Sequence, residues 1–260
     1  MTKTVELRPA DILPEVGSVT LHELWLCLKA GVYDFRRAPA FGLFFSAVYV
    51  LGGFAMLWLG AGHVTWTLAT ALGFPLAAPF AAVGLYEVSR RLEAGLPLVW
   101  SEVLGVVWAE RGRQIPWVGA IIVFYFLFWT FLAHMIFALF MGLSAITNIS
   151  DSFALFLGPD GLRMIAVEMV VGGLLAFLLF SLTVVSLPLL LDKEVDFVTA
   201  MILSVRVVSA NLFVMLVWAG LIALMTLAAL LPWFLGLMVV LPVLGHATWH
   251  LYRRALYEPY

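Results

Sequence analysis

The sequence predicts an all-α polytopic membrane protein, with six transmembrane helices arranged as three pseudo-repeats of an amphipathic cytoplasmic helix plus a helical hairpin. Of its 260 residues, 64% are hydrophobic and 12% are charged, whereas soluble domains are about half apolar and about a quarter charged. Six apolar runs each reach the length of about 20 residues that crosses a bilayer. Thirteen of the fourteen Lys and Arg residues lie in alternate gaps between these runs.

The apolar runs set the boundaries of the predicted elements. Residues 1–39 are predicted to be a cytoplasmic N-terminal segment with an amphipathic interfacial helix, and 40–260 to be the six-helix transmembrane domain. The third and fourth runs exceed the minimum length, so we expect them to project from the bilayer near 148–160. The predicted spans are 40–59, 68–86, 117–146, 164–191, 212–231 and 233–252.

The distribution of cations predicts the orientation. Lys and Arg near the ends of spanning helices stay in the cytoplasm, and only Arg163 falls in a gap of the opposite kind. Both termini are therefore predicted to be cytoplasmic. Tryptophan suits the boundary between lipid and water, which is where we place Trp58, Trp66, Trp117, Trp233 and Trp249.

The pseudo-repeat is visible as an amphipathic segment before each hairpin. In the first segment, apolar residues recur at helical spacing, namely Leu21, Leu24, Trp25, Leu28, Val32 and Phe35. The segments from Val99 and from Phe197 have a similar character, the last more weakly. Pro79 and Pro242 each precede an arginine pair by the same interval, and Pro188 lies at the equivalent depth of the fourth span. Proline leaves a carbonyl four residues earlier without its donor, so we expect kinks in these helices.

Histidines suggest two kinds of site. His246 and His250 lie four residues apart on one helix face, a spacing that suits a metal ion, with Glu87, Asp192 and Asp196 as further ligand candidates. The alternative is a pair of interfacial histidines bonded to tyrosines, carbonyls or water. A bis-histidine haem between His246 and His134 is disfavoured, because the two residues lie at different depths. No cofactor is predicted, with haem or a metal as the alternative.

Two further ionisable residues lie within predicted spans. His134 is in the third span and Glu168 enters the fourth, and ionisable groups inside a membrane often mark a pathway. One interpretation is therefore a proton or solute pathway through both residues. The alternative is a packing histidine at position 134, with Glu168 paired to Arg163.

Several function classes are excluded or lack support. A net charge of −2 gives no electrostatic case for nucleic-acid binding. Cys27 is the only cysteine, so no intrachain disulfide is possible. No phosphate-binding loop, nucleophile elbow or zinc-protease helix is present. The sequence therefore predicts a protein that is not an enzyme.

Three stretches resemble an uncharacterised family of bacterial integral membrane proteins, a domain of unknown function of which some members are labelled cytochrome c oxidase subunit I. They are PFAAVGLYEVSRRLEAG at 79–95, SLPLLLDKEVDFVTAM at 186–201 and LPVLGHATWHLYRR at 241–254. The resemblance implies a multi-pass protein of the bacterial inner membrane. It does not imply oxidase activity, because that subunit has twice as many spans and more intramembrane histidines.

The resemblance also implies a set of site residues near the cytoplasmic ends of the even-numbered spans. If the repeats surround a pseudo-three-fold axis, these residues converge on a polar vestibule. The family pattern marks Tyr86, Ser89, Arg90, Glu93, Asp192, Asp196, Asn211, His246, His250 and Arg253.

Three functions remain open from the sequence. The leading one is a non-enzymatic accessory or scaffolding component of a membrane complex, with respiratory complexes among the candidates. Its predicted partners are membrane lipids and other subunits of such a complex, and its oligomeric state is not predicted. The alternatives are a small-solute or ion permease with a wall of proline-kinked helices, and a haem- or metal-binding electron-transfer subunit.

Overall fold

The computed structural model describes residues 14–58, 64–142 and 156–257, with the side chains of all of these except 56, 57 and 64–77. The described ranges contain α-helices and no strand. The helices are α1 (Leu21–Arg37), α2 (Pro39–Trp58), α3 (Val64–Glu93), α4 (Trp100–Glu110), α5 (Ile115–Met141), α6 (Pro159–Thr183), α7 (Ser186–Asp192), α8 (Phe197–Ala210), α9 (Leu212–Leu230) and α10 (Leu237–Leu256).

Local sequence explains where α1 begins and ends. Thr20 and Glu23 form a capping box at its start, in which each side chain binds the other residue's backbone N–H. At the other end, Pro39 disfavours helical geometry at Ala38, which adopts φ −132°. Proline is well tolerated in the first turn of a helix, so α2 begins at once, and the two helix axes differ by 102°.

The long helices pack as neighbours in chain order. α2 lies against α3, α5 against α6, and α9 against α10. A shorter helix, α1, α4 or α8, precedes each of these pairs. α3 and α10 also contact each other, and both contact α7, so the final turns of α3, α7 and α10 meet.

A break separates α6 from α7 within the fourth predicted span. Pro188 has no N–H to offer the Val184 carbonyl, and the helix is interrupted at residues 184 and 185. At this break, the Val185 N–H donates to the Ser204 hydroxyl oxygen of α8 at 3.1 Å. The expected kink is thus present before Pro188, as a break between α6 and α7 at which one backbone N–H binds a side chain of α8.

By length and composition, three helical stretches among the described residues qualify as candidate spans, namely Ile115–Met141, Pro159–Asp192 and Leu212–Leu230. A fourth arises if Leu21–Arg37 and Pro39–Ala55 form one bent span. These stretches match four of the six predicted spans in part. α10, on the predicted sixth span, ends in Arg253 and Arg254 and is largely buried. The structure does not describe most side chains of the predicted second span, and it does not describe most residues of 148–160.

The buried core centres on α10. Leu251, Tyr252 and Ala255 are fully buried there. Trp249 is only 1% exposed, so its predicted place at the membrane interface is wrong: the indole packs inside the protein. Trp58, Trp117 and Trp233 are exposed, as interfacial residues would be, and the side chain of Trp66 lies outside the described part.

Candidate functional site: a polar cluster between α1, α3 and α10

Small residues bring the site-bearing helices together. α1 crosses α10 at Gly31, where a Cβ would lie 2.5 Å from the Val243 carbonyl oxygen. At Gly245 of α10, a Cβ would lie 2.7 Å from the Leu85 side chain of α3. These close approaches place polar side chains of the three helices within hydrogen-bonding distance.

The Asp34 cluster consists of Asp34, Ser89, His246 and His250. The Ser89 hydroxyl donates to Asp34 Oδ2 at 2.8 Å, and His250 Nε2 lies 2.8 Å from the same oxygen. Ser89 Oγ is also 2.8 Å from His246 Nδ1. Asp34, Ser89 and His246 are buried, whereas the His250 side chain is 24% exposed. One chain of hydrogen bonds therefore joins a partly exposed histidine to a fully buried one.

Proton counting assigns the roles within this cluster. Ser89 has a single hydroxyl proton, which it gives to Asp34, so its Oγ accepts from the Nδ1–H of His246. The Nε2 atom of His246 is buried and has no partner among the described residues. An activated serine would give its proton to the histidine, and here the direction is the reverse. This arrangement does not activate Ser89 as a nucleophile.

A second group of charges surrounds Glu87 of α3. This carboxylate is fully buried and accepts from Arg90 at 2.7 and 2.9 Å and from Arg91 at 2.7 Å. Arg91 continues to the Pro97 carbonyl at 3.0 Å and to Glu102. A buried charge is tolerated only when it is paired and hydrogen-bonded, and both conditions hold for Glu87.

The ends of α3, α7 and α10 are linked by two further carboxylates. Glu93 accepts from the Trp249 indole at 2.8 Å and from Arg253 at 3.0 Å. Asp192 accepts from the Tyr252 hydroxyl at 2.8 Å and lies 3.7 Å from Arg253. Arg253 therefore bridges α3 and α7.

The structure brings together most residues of the predicted vestibule and leaves two apart. Asn211 binds the Val19 N–H at 2.7 Å and the Gly17 carbonyl at 3.0 Å, which holds the segment before α1. Asp196 caps α8 by accepting from the Thr199 N–H at 2.9 Å, and hydrogen bonds from Thr199 lower the pKa of its carboxyl. The other eight lie on α3, α7 and α10, namely Tyr86, Ser89, Arg90, Glu93, Asp192, His246, His250 and Arg253. Among them, Ser89 contacts His246, and Arg253 lies within ion-pair distance of Glu93 and Asp192.

His134 and Glu168 lie away from this region. His134 is exposed on α5, and its Nδ1 binds the Thr130 carbonyl of the same helix at 2.7 Å. Glu168 lines a cavity of about 160 Å³ with Trp129, Ala133 and other residues of α5 and α6. Arg163 pairs with Asp160 at 3.1 Å, and not with Glu168 as one interpretation of the sequence had it.

The residues proposed as metal ligands have other partners. His246 Nδ1 faces Ser89, and His250 Nε2 faces Asp34. Within the ranges that the structure describes, no group of three His, Cys, Asp or Glu side chains is placed to hold a metal ion. The Nε2 atom of His246 is buried and has no partner in these ranges.

Sequence reasoning missed Asp34, the residue at the centre of the cluster. The side chain that binds both Ser89 and His250 lies within 1–39, which the sequence predicts to be a cytoplasmic segment. A signal for it is present, because Leu24, Cys27, Gly31 and Asp34 recur at helical spacing and form the buried face of α1. A carboxylate on an apolar stripe requires a buried partner.

A second buried carboxyl, Glu110, was also missed. It is only 2% exposed at the end of α4 and pairs with Arg113, which reaches Glu194 at 2.6 Å. Burial raises the pKa of Glu110. The ion pair between Arg113 and Glu194 links the segment after α4 to the connection between α7 and α8.

Comparison with known proteins gives one family. Residues 67–192 match the model of the family described as "Predicted integral membrane protein (DUF2189)", whose function is unknown, and this confirms the resemblance. No curated protein and no solved structure matches the chain. The matched segment runs from α3 to the end of α7 and includes Ser89, Glu87 and Asp192. The chain is thus an integral membrane protein with several candidate spans, and its residues 67–192 are similar to the DUF2189 family.

Proposed function

We propose that this chain is a six-span, non-enzymatic accessory or scaffolding component of a membrane complex in the bacterial inner membrane. The observation that carries the proposal is the contrast between two parts of the molecule. Polar side chains at the ends of α3, α7 and α10 bind one another, whereas α5, which packs against α3 and α6, leaves many large apolar side chains exposed. In the most apolar stretch of α5, only 6% of the residues are buried inside the protein.

The uncovered face of α5 is rich in large side chains. Phe124 is 75% exposed and Phe131 is 67% exposed. Lipid tails cover such a face, and so does another protein's helix, through van der Waals packing. Aromatic side chains are typical of contact surfaces between proteins, which supports a partner on α5.

The six-span arrangement is supported by the order of the elements. A short helix precedes each of the three pairs of long helices, in agreement with the alternation of cations. Both termini then lie in the cytoplasm, and the ends of α3 and α10 that lie near the Asp34 cluster face the cytoplasm as well.

Cysteine labelling tests this topology in a Cys27→Ala background. Single cysteines at the predicted external positions should react with a membrane-impermeant maleimide in intact spheroplasts, and those at the predicted internal positions only after permeabilisation. The external set is Gly62→Cys, Asp160→Cys and Pro232→Cys, and the internal set is Gly95→Cys and Glu194→Cys. If the cysteines at 62 and 95 react from the same side, α3 does not cross the membrane and the six-span proposal is wrong.

The accessory role predicts a partner that contacts α5. A photoreactive benzoylphenylalanine in place of Phe131 should crosslink one protein in native membranes at native expression level, and mass spectrometry of the tagged chain in mild detergent should identify the same protein. Phe213 on α9 is 68% exposed and provides the matched control position, at which we expect no such adduct. A chain that purifies alone and crosslinks only lipid at 131 contradicts the accessory role.

One observation favours a second candidate, an ion permease. The Asp34 cluster connects partly exposed His250 to buried His246 through three contacts of 2.8 Å. A proton can move along such a chain of donors and acceptors. Recovery of an isolated chain in the crosslinking experiment would favour this candidate.

A further inference from the structure

Two open apolar grooves of similar size lie on the short helices α1 and α4. The first has a volume of about 640 Å³ and is lined by Trp25, Leu28, Val32 and Tyr33. The second also has a volume of about 640 Å³, with Leu104, Val107 and Trp108 of α4 on one side and Phe80 of α3 on the other. Each groove belongs to a helix that precedes a pair of long helices.

Each groove has cations beside an exposed tryptophan. Lys29 Nζ lies 5.3 Å from the centre of the Trp25 ring, and Arg36 lines the same groove about two turns further along. In the second groove, the Arg111 guanidinium lies 3.6 Å from the centre of the Trp108 ring. Trp25 is 51% exposed and Trp108 is 65% exposed.

These cations are not neutralised by the part of the protein that the structure describes. Its ion pairs use other arginines, such as Arg91, Arg113 and Arg254. No acidic side chain in the described ranges lies within ion-pair distance of Lys29, Arg36 or Arg111. An apolar groove with unneutralised cations at its edge is complementary to a ligand with an anionic head and a hydrocarbon tail.

The first groove is held in place from the opposite face of α1. That face is fixed to α10 by the Glu23 carboxylate, which accepts from Arg254 Nε at 2.8 Å, and by Asp34, which binds His250. Trp25, Leu28, Lys29, Val32 and Arg36 share the other face, since they recur at helical spacing. A ligand can therefore bind there without reordering the helix.

We propose that each groove binds one anionic phospholipid, with the phosphate against the cations and part of an acyl chain along the apolar floor. The tryptophan then lies at the level of the headgroups, where its ring meets both apolar and polar surroundings. The proposal depends on the membrane insertion of the chain, and it does not depend on the accessory role. Two specific lipid sites on amphipathic helices would fix the depth of the protein in the anionic leaflet.

Native mass spectrometry of the full chain in mild detergent tests the proposal, with dioleoyl phosphatidylglycerol and dioleoyl phosphatidylcholine as probes. The wild-type protein should bind two phosphatidylglycerol molecules more tightly than phosphatidylcholine. Each cation near an anionic surface contributes about fivefold to affinity. Arg111→Gln should therefore weaken one site about fivefold, and the double change Lys29→Gln with Arg36→Gln should weaken the other about 25-fold.

The control is Arg206→Gln, because Arg206 is exposed on α8 and lines neither groove. It should leave both tight sites intact. Equal binding of the two lipids by the wild type, two tight sites that persist in the groove variants, or the same loss in Arg206→Gln would each overturn the proposal. Because lipid binding is measured on the isolated chain, its outcome is independent of partner capture in native membranes.

Discussion

Gly31→Ala is expected to separate α1 from α10 and to expose Cys27. A Cβ at position 31 would lie 2.5 Å from the Val243 carbonyl oxygen and 2.7 Å from the Ala247 backbone nitrogen. Both are backbone atoms, so the helices must move apart. Overpacking of this kind costs about 3 kcal/mol, against a gain of about 1 kcal/mol in helix propensity. The net effect is a substantial loss of docking free energy for α1.

Cys27 reports this change directly because it is the only cysteine and lies on the buried face of α1. Burial raises the pKa of its thiol to about 12, so the folded protein holds the unreactive thiol at pH 8 and alkylation proceeds through local opening. We expect the rate of maleimide labelling in detergent to rise roughly tenfold or more in Gly31→Ala, since each 1.4 kcal/mol is a factor of ten.

Gly105→Ala provides the control for that experiment. Gly105 is also helical, and nothing lies within 4 Å of a Cβ built there. Its substitution should leave the labelling rate of Cys27 at the wild-type value. An unchanged rate in Gly31→Ala would mean that α1 is not held against α10 by this close contact.

The positions of the helices follow from the sequence because apolar runs and prolines are local signals. Pro39 lies at the bend after α1 and Pro188 follows the break before α7, whereas Pro79 and Pro242 lie within continuous helices. The same locality explains why helix ends could be placed within a few residues at α9 and α5. Helix propensity and the spacing of apolar residues are properties of a few helical turns, so a single sequence is enough to detect them.

It is harder to predict which face of a helix packs against the rest of the protein, as α1 illustrates. Its apolar residues cover two faces, one around Trp25 and one around Cys27, and a helical pattern does not state which face meets protein. The structure buries the Cys27 face, together with Asp34. Trp249 was misplaced for the same reason, because an indole near a helix end suits either lipid headgroups or an internal acceptor such as Glu93.

The pairs that build the candidate site are separated by most of the chain. Asp34 and His250 are 216 residues apart, and Glu23 and Arg254 are 231 residues apart. A single sequence indicates which residues need partners, and it does not identify those partners. The repeated spacing of proline and charge predicts that polar residues gather at the ends of the even-numbered spans, whereas the central place of Asp34 depends on the packing of α1 against α10.

Glu87→Ala is expected to cause the largest loss of stability among single side-chain removals in this polar region. The Glu87 carboxylate is fully buried and accepts three hydrogen bonds from Arg90 and Arg91. Its removal leaves Arg91, whose side chain is 11% exposed, with one carboxylate partner. Removing one member of a buried ion pair costs about 3–5 kcal/mol, because the remaining charge stays desolvated.

Glu102→Ala is the matched control, because it removes an exposed carboxylate that pairs with the same arginine as the buried Glu87. Glu102 binds the same arginine, but its side chain is 51% exposed, and an exposed ion pair contributes about 1 kcal/mol or less. Unfolding of both variants in mixed detergent micelles should therefore give a free-energy loss several times larger for Glu87→Ala. Similar losses would mean that water reaches Arg91 and Glu87 in the folded protein. In that case the polar ends of α3, α7 and α10 would form a hydrated vestibule, and the permease would become the better interpretation of this region.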